Sequence, residues 1–177
     1  MLVALTGTPG TGKSSVADTL GRRGFSIIDL NSLAHGLGLF KGYDEARKCW
    51  LYDLEAISEH VAAIKVEESS DRATILEGLV SHLLPVDLII VLRCRPSILE
   101  GRLRAKGYDK EKIRENLEAE ALNILSQESH DEGEAYEIDT TYMNIEEVAD
   151  SVEHIIRGDG AKYRKRLDFL EDVMSWY

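Results

Sequence analysis

Apolar residues follow two rhythms along this chain. Short apolar runs at residues 2–6, 25–28, 73–77, 87–92 and 135–139 have the length and composition of β-strands. Between them, at 13–23, 53–69, 95–105, 110–126 and 145–157, apolar positions recur at helical spacing among charged ones. The stretch "VDLIIVL" is continuously apolar after its aspartate, as a strand buried on both faces reads. Strand and helix alternate, which predicts a three-layer α/β/α fold: a five-stranded parallel sheet with helices on both faces. Gly158 and Gly160 stop one helix, and the spacing predicts another over 161–177. There Leu167, Leu170, Met174 and Tyr177 share a stripe, with Phe169, Val173 and Trp176 beside it. Such a helix packs on its parent domain or docks a partner.

Composition narrows the picture without changing it. The 177 residues suffice for one domain with a substantial core, and no repeat or linker divides them. Asp plus Glu number 32 against 21 Lys plus Arg, a formal charge of −11. That balance argues against broad binding to a nucleic-acid backbone and suits a basic protein partner. Cys49 and Cys94 lack any metal-like or C-x-x-C spacing and read as buried thiols. No signal-like segment precedes the first expected strand, and no apolar run approaches a membrane span, so a cytoplasmic location is expected.

Chemistry enters at the first strand–helix junction, "VALTGTPGTGKSSVADTL". Gly7 through Ser14 match G-x-x-x-x-G-K-S, the phosphate-binding loop. Successive backbone N–H groups in such a loop form a concave nest, and the helix that follows adds its positive end. Lys13 is placed to reach the β- and γ-phosphates of a nucleotide, and the Ser14 hydroxyl to ligate Mg²⁺.

In parallel sheets ligands bind beyond the carboxyl ends of the strands. After the second strand lies a long polar excursion over 30–53, with Gly36, Gly38 and Gly42, which reads as a closing flap. The strand "ATILEG" delivers Glu77 at its end, where a carboxylate can hold Mg²⁺. His82, among leucines, reads as structural. The segment from Arg93 to Lys112 gathers Arg93, Arg95, Arg102, Arg104, Lys106, Lys110 and Lys112. Arg102 and Lys106 stand four apart, on one helix face, and could both reach a polyphosphate. The sequence holds no N-K-x-D base-recognition motif, zinc motif or dinucleotide fingerprint.

These pieces together resemble the adenylate kinase isoenzyme 6 family of archaea and eukaryotes. The likeness rests on "GTPGTGKS" at 7–14, "GYDE" at 42–45, "ILEG" followed by "SHLLP" at 75–85, "VLR" at 91–93 and "RLRAKGY" at 102–108. It implies a phosphate-loop kinase fold with an ATP site at Gly10, Gly12, Lys13, Ser14 and Ser15. It also implies a monophosphate-binding region over 30–53 and a short lid over 105–115, whose basic residue falls on Lys106. The family joins nucleoside monophosphate kinase or ATPase activity to maturation of the small ribosomal subunit, with a platform protein of that subunit as partner. Three positions depart from the family pattern: Lys106 stands where relatives often have an arginine, Leu79 where the family has a histidine, and His35 where it has an arginine.

The expected activity is Mg²⁺-dependent transfer of the ATP γ-phosphoryl to AMP or another nucleoside monophosphate. Lys13, Glu77, Arg102 and Lys106 are the candidate catalytic residues, and Ser14 and Glu77 the metal-holding pair. An ATPase switch acting in ribosome assembly is the alternative. A kinase of a carboxylate acceptor such as shikimate ranks last, because the flap offers only Arg47, Lys41 and Lys48 as cations.

Overall fold

The computed structural model describes residues 1–45, 49–67 and 72–174. In chain order the elements are β1 (Leu2–Gly7), α1 (Lys13–Arg22), β2 (Ser26–Asp29), α2 (Leu30–Leu37), β3 (Phe40–Asp44), β4 (Cys49–Tyr52) and α3 (Leu54–Glu67). They continue with β5 (Thr74–Glu77), β6 (Leu88–Arg93), α4 (Pro96–Ala105), α5 (Lys110–Ala121), α6 (Ile124–Glu132), β7 (Ala135–Asp139), α7 (Ile145–Ile156) and α8 (Leu170–Met174).

Five strands pair in the order β2-β5-β1-β6-β7, all parallel. The two that read as most apolar, β1 and β6, lie at or beside the centre and are buried throughout. Alternate residues of β1 feed opposite faces. Val3 and Leu5 join Val16 and Leu20 of α1 and Val148 and Val152 of α7. Leu2 packs with Leu30 and Ala34 of α2 and Ile57 and Val61 of α3, while Ala4 meets Ile89, Val91 and Ala135. The three-layer expectation holds.

Three elements differ from the sequence reading. The 30–53 excursion, read as a flap with no elements assigned to it, forms α2 and the antiparallel hairpin β3–β4. Arg47 and Lys48, two of its expected cations, lie outside the described residues. The helix expected over 110–126 breaks into α5 and α6 at Asn123, the non-glycine described residue with positive φ (57°). Its Oδ1 accepts from Nη2 of Arg93 at 2.7 Å, so a buried guanidinium takes hold of the chain at the break.

The third difference is the continuous helix expected over 161–177, which does not form. A 3₁₀ turn at Ala161–Arg164 gives way to extended chain and then to α8. The reason lies beneath it. Leu167 N–H donates to Glu137 and its carbonyl accepts from Arg93, so its backbone is committed to buried side chains rather than to a helix. Phe169 is buried against Arg93 and Arg95, its ring 5.3 and 5.7 Å from their guanidinium carbons. Trp176 and Tyr177 of the expected stripe lie outside the described residues. Among the described residues no helix is long and apolar enough to cross a membrane.

Candidate active site

The strand ends of β1, β2 and β5 open into a cleft of about 1150 Å³. Its floor is the phosphate loop, and glycine is required there by contact as well as by φ. At Gly7 (φ +147°) a Cβ would stand 2.4 Å from the Leu92 carbonyl oxygen. Gly12 takes φ 105° to start α1. The Lys13 ammonium, at the first residue of that helix, donates to the Gly7 carbonyl at 2.7 Å and the Thr8 carbonyl at 3.4 Å. Burial lowers its pKa to about 8; Glu77 and Glu120 oppose the shift and Lys106 adds to it. Gly10, Gly12, Ser14 and Ser15 line the same cleft.

Glu77 closes the metal-like corner. Ser14 Oγ donates to its Oε1 at 3.4 Å, so the two residues paired from sequence meet in space. Burial pushes the Glu77 carboxyl up to about 7, helped by a hydrogen bond with Asp29 and opposed by Lys13. Asp29 goes the other way: burial would raise it, but hydrogen bonds from Ser32 and Glu77 hold it below its usual value. One proton shared between neighbouring carboxyls divides in this manner. The sequence reading missed Asp29. The available signal was positional: Asp29 ends β2 as Glu77 ends β5, and their Cα atoms are register partners.

The cationic segment scatters. Lys106 reaches the cleft at the turn between α4 and α5, together with Lys112, which pairs with Glu115 at 2.8 Å. Arg102 turns to the β7–α7 loop, donating to Thr140 Oγ1 (3.2 Å) and to the carbonyls of Thr140 (2.7 Å) and Thr141 (3.1 Å). Arg93 is fully buried between Glu120 and Glu137, 2.8 and 2.9 Å away. Arg95 pairs with Asp172 and Arg104 with Glu100. His82 is buried, its ring nitrogens 3.4 Å from Thr6 and 3.3 Å from Glu128, which fits the structural role read for it.

The flap adds an aromatic wall that spacing did not reveal. His35, Trp50 and Tyr52 line the cleft, the first two edge-on to each other with ring centres 6.1 Å apart, and Phe40 stacks on Tyr52. Tyr52 donates to Asn31 at 2.6 Å. Leu79, at the position where a histidine was expected from the resemblance, also faces the cleft and is 42% exposed.

Residues 3–123 match a family described as "AAA domain". A protein named "Putative adenylate kinase" from Archaeoglobus fulgidus is 45% identical over 179 aligned residues, covering 98% of this chain and 94% of its own. One of the same name from Methanocaldococcus jannaschii is 38% identical over 158, covering 89% and 86%. Among solved structures, a shikimate kinase from Bacteroides thetaiotaomicron superposes with a TM-score of 0.61 at 16% identity, covering 89% of this chain and 98% of its own. A deoxyadenosine kinase from M. mycoides with bound dATP gives 0.57 at 15%, covering 89% and 100%. At such identities these two likenesses speak to the fold. The chain belongs to the adenylate kinase-like family of these archaeal proteins and has the fold of phosphate-loop kinases.

Proposed function

We propose that this chain is a nucleoside monophosphate kinase that transfers the γ-phosphoryl of ATP to AMP. One observation carries the reading: the Lys13 ammonium, the Ser14 hydroxyl and the Glu77 carboxyl converge in one cleft that Lys106 and an aromatic wall also line. The names of the archaeal relatives support it.

The loop amides near Gly10 and Gly12, with Lys13 and Ser15, hold the ATP phosphates. Lys13 follows the charge that develops on the transferring group, and Lys106 adds a second cation from the 105–115 lid. Arg102 contributes its charge from α4, one turn before Lys106, while bonded to the β7–α7 loop. The 30–53 region receives the monophosphate. No protein nucleophile is required, because in-line attack by the acceptor phosphate needs positioning and exclusion of water.

The donors at the metal-like corner fit Mg²⁺. Ser14, Glu77 and Asp29 offer hard oxygens, and the two carboxyls press together in a site where a divalent cation relieves their repulsion. Magnesium, when bound, neutralises charge on the β- and γ-phosphates. Ser14 and Glu77 would hold it, directly or through water.

The finer reading places the chain in the cytoplasm, in the isoenzyme 6 branch, with a basic platform protein of the small ribosomal subunit steered in by the −11 charge. An ATPase switch in that assembly is favoured by Leu79, an apolar side chain where the branch has a histidine. The test mixes purified protein with Mg·ATP, alone and with each monophosphate, and separates ADP from phosphate. Two ADP per ATP consumed, dependent on AMP, supports the kinase. Phosphate release indifferent to any monophosphate supports the switch.

A further inference from the structure

Behind the phosphate loop lies a buried ionic cluster with no part in the roles assigned so far. We infer that Glu120 is a positioning residue: from the end of α5 it holds Thr8, and through Thr8 it fixes the loop carbonyls that aim the Lys13 ammonium. The inference deepens the kinase reading above and rests on it.

Thr8 is 3% exposed, and its hydroxyl donates to Glu120 Oε2 at 2.5 Å. The other carboxylate oxygen is taken by Arg93 Nε at 2.8 Å and the Cys94 amide at 3.0 Å. Arg93 is itself immobilised, by Glu137 at 2.9 Å and by the Glu120 carbonyl at 2.9 Å. The Glu120 carboxylate therefore cannot turn away from Thr8. On its backbone side Thr8 is equally tied: its carbonyl accepts from the Thr11 amide (3.2 Å), the Thr11 hydroxyl (2.8 Å) and Lys13. The Gly7 carbonyl, one peptide earlier, takes the shorter Lys13 bond. Displacing Thr8 thus moves both anchors of the ammonium.

The helix that carries Glu120 also reaches the other wall. Asp109, its N-cap, and Lys112 and Glu115 line the cleft beside Lys106. One rigid helix therefore spans from the lid turn to the back of the phosphate loop. Stability alone is a poor reason for this construction, because buried ion pairs roughly break even against apolar packing. A fixed acceptor aimed at the phosphate loop is what such burial provides here.

The decisive variant is Thr8→Val, which keeps the shape, removes the hydroxyl and leaves the Arg93–Glu120 pair in place. Its kcat with Mg·ATP and AMP is expected to fall about 10- to 100-fold, with KM for AMP changed less than about twofold. Amide exchange should accelerate in residues 8–13 and stay unchanged in β1 and β6. Thr8→Ser, which restores the donor, should recover most of the loss. If Thr8→Val does not fold, Thr8→Ala is read the same way, since it also removes the hydroxyl and leaves Glu120 bonded to Arg93 and the Cys94 amide. Wild-type kcat and loop exchange in Thr8→Val would overturn the inference, as would faster exchange spread over the whole sheet. If the unsubstituted protein phosphorylates no monophosphate, the kinase reading fails instead, and the exchange comparison still decides whether Glu120 holds the loop.

Discussion

The two sides of the cleft are built on opposite plans. On the phosphate-loop side, glycines and backbone carbonyls do the shaping, and behind them Thr8, Glu120, Arg93 and Glu137 interlock with little exposure. On the flap side, the wall is made of side chains: Trp50 is half exposed, Leu51 and Tyr43 nearly so, and the hairpin that carries them has two strands. The difference separates two tasks. A triphosphate is the same in every nucleotide, so a rigid nest suits it. On the proposed function, the flat face of an acceptor base would be met by rings on a light frame, which tolerates change.

This division is broken most sharply by one substitution on each side. Lys13→Met should lower kcat by about 10²–10³-fold, the loss expected when one charge-stabilising donor is removed. It should leave KM for the acceptor nearly unchanged. Trp50→Ala should do the reverse, raising acceptor KM about tenfold through lost stacking while ATP affinity stays within about twofold. Initial rates with each substrate varied in turn check both. A Trp50→Ala defect in ATP binding would merge the two sides into one site.

Glycine offers the next contrast, now in stability. Gly7→Ala drives a Cβ against the Leu92 carbonyl oxygen and the Thr11 hydroxyl in a left-handed conformation, at an expected loss of about 1–3 kcal/mol. Gly36 sits inside α2 with open space around it and no positive φ. Gly36→Ala should therefore stabilise by about 0.5–1 kcal/mol through helix propensity. Urea unfolding of the two variants reads opposite signs. Equal effects would mean that the flap is as tightly specified as the loop.

The same contrast explains what could be read from the residues. Gly7-to-Ser14 spacing is local: each glycine is needed within eight residues of the lysine it serves, so the motif is visible in one line of sequence. The sheet was legible for a similar reason, since apolar runs such as 88–92 need no distant partner to be recognised. Asp29, Glu120 and the tail were not. Asp29 matters because β2 lies beside β5, and that register is a property of the sheet. Glu120 stands 112 positions from Thr8 and looks, in sequence, like any acid on a charged helix. The tail has an apolar stripe at helical spacing, yet Arg93 and Glu137 claim the Leu167 backbone and keep the chain extended. Buried charge overrode periodicity there.

The smallest expected effect concerns the carboxyl pair at the seam between the two sides. In metal-free, nucleotide-free protein Glu77 titrates at about 7 against an ordinary 4.5. Its folded value is raised, so its contribution to stability is fully present below about pH 4.5 and is lost as pH rises through about 7. Lys13, lowered to about 8 from 10.5, acts from the other direction: its contribution is full above about pH 10.5 and is lost as pH falls through about 8. Both groups thus weigh against the empty fold near neutrality. Glu77→Gln removes the first of them and should raise the melting temperature at pH 8 while changing it little at pH 4.5, measured in EDTA. An equal shift at both values would show that the gain comes from packing rather than charge. A loss at pH 8 would mean that the ionised Glu77 supports Lys13 more than its own burial opposes the fold, and the seam would then belong to the phosphate-loop side.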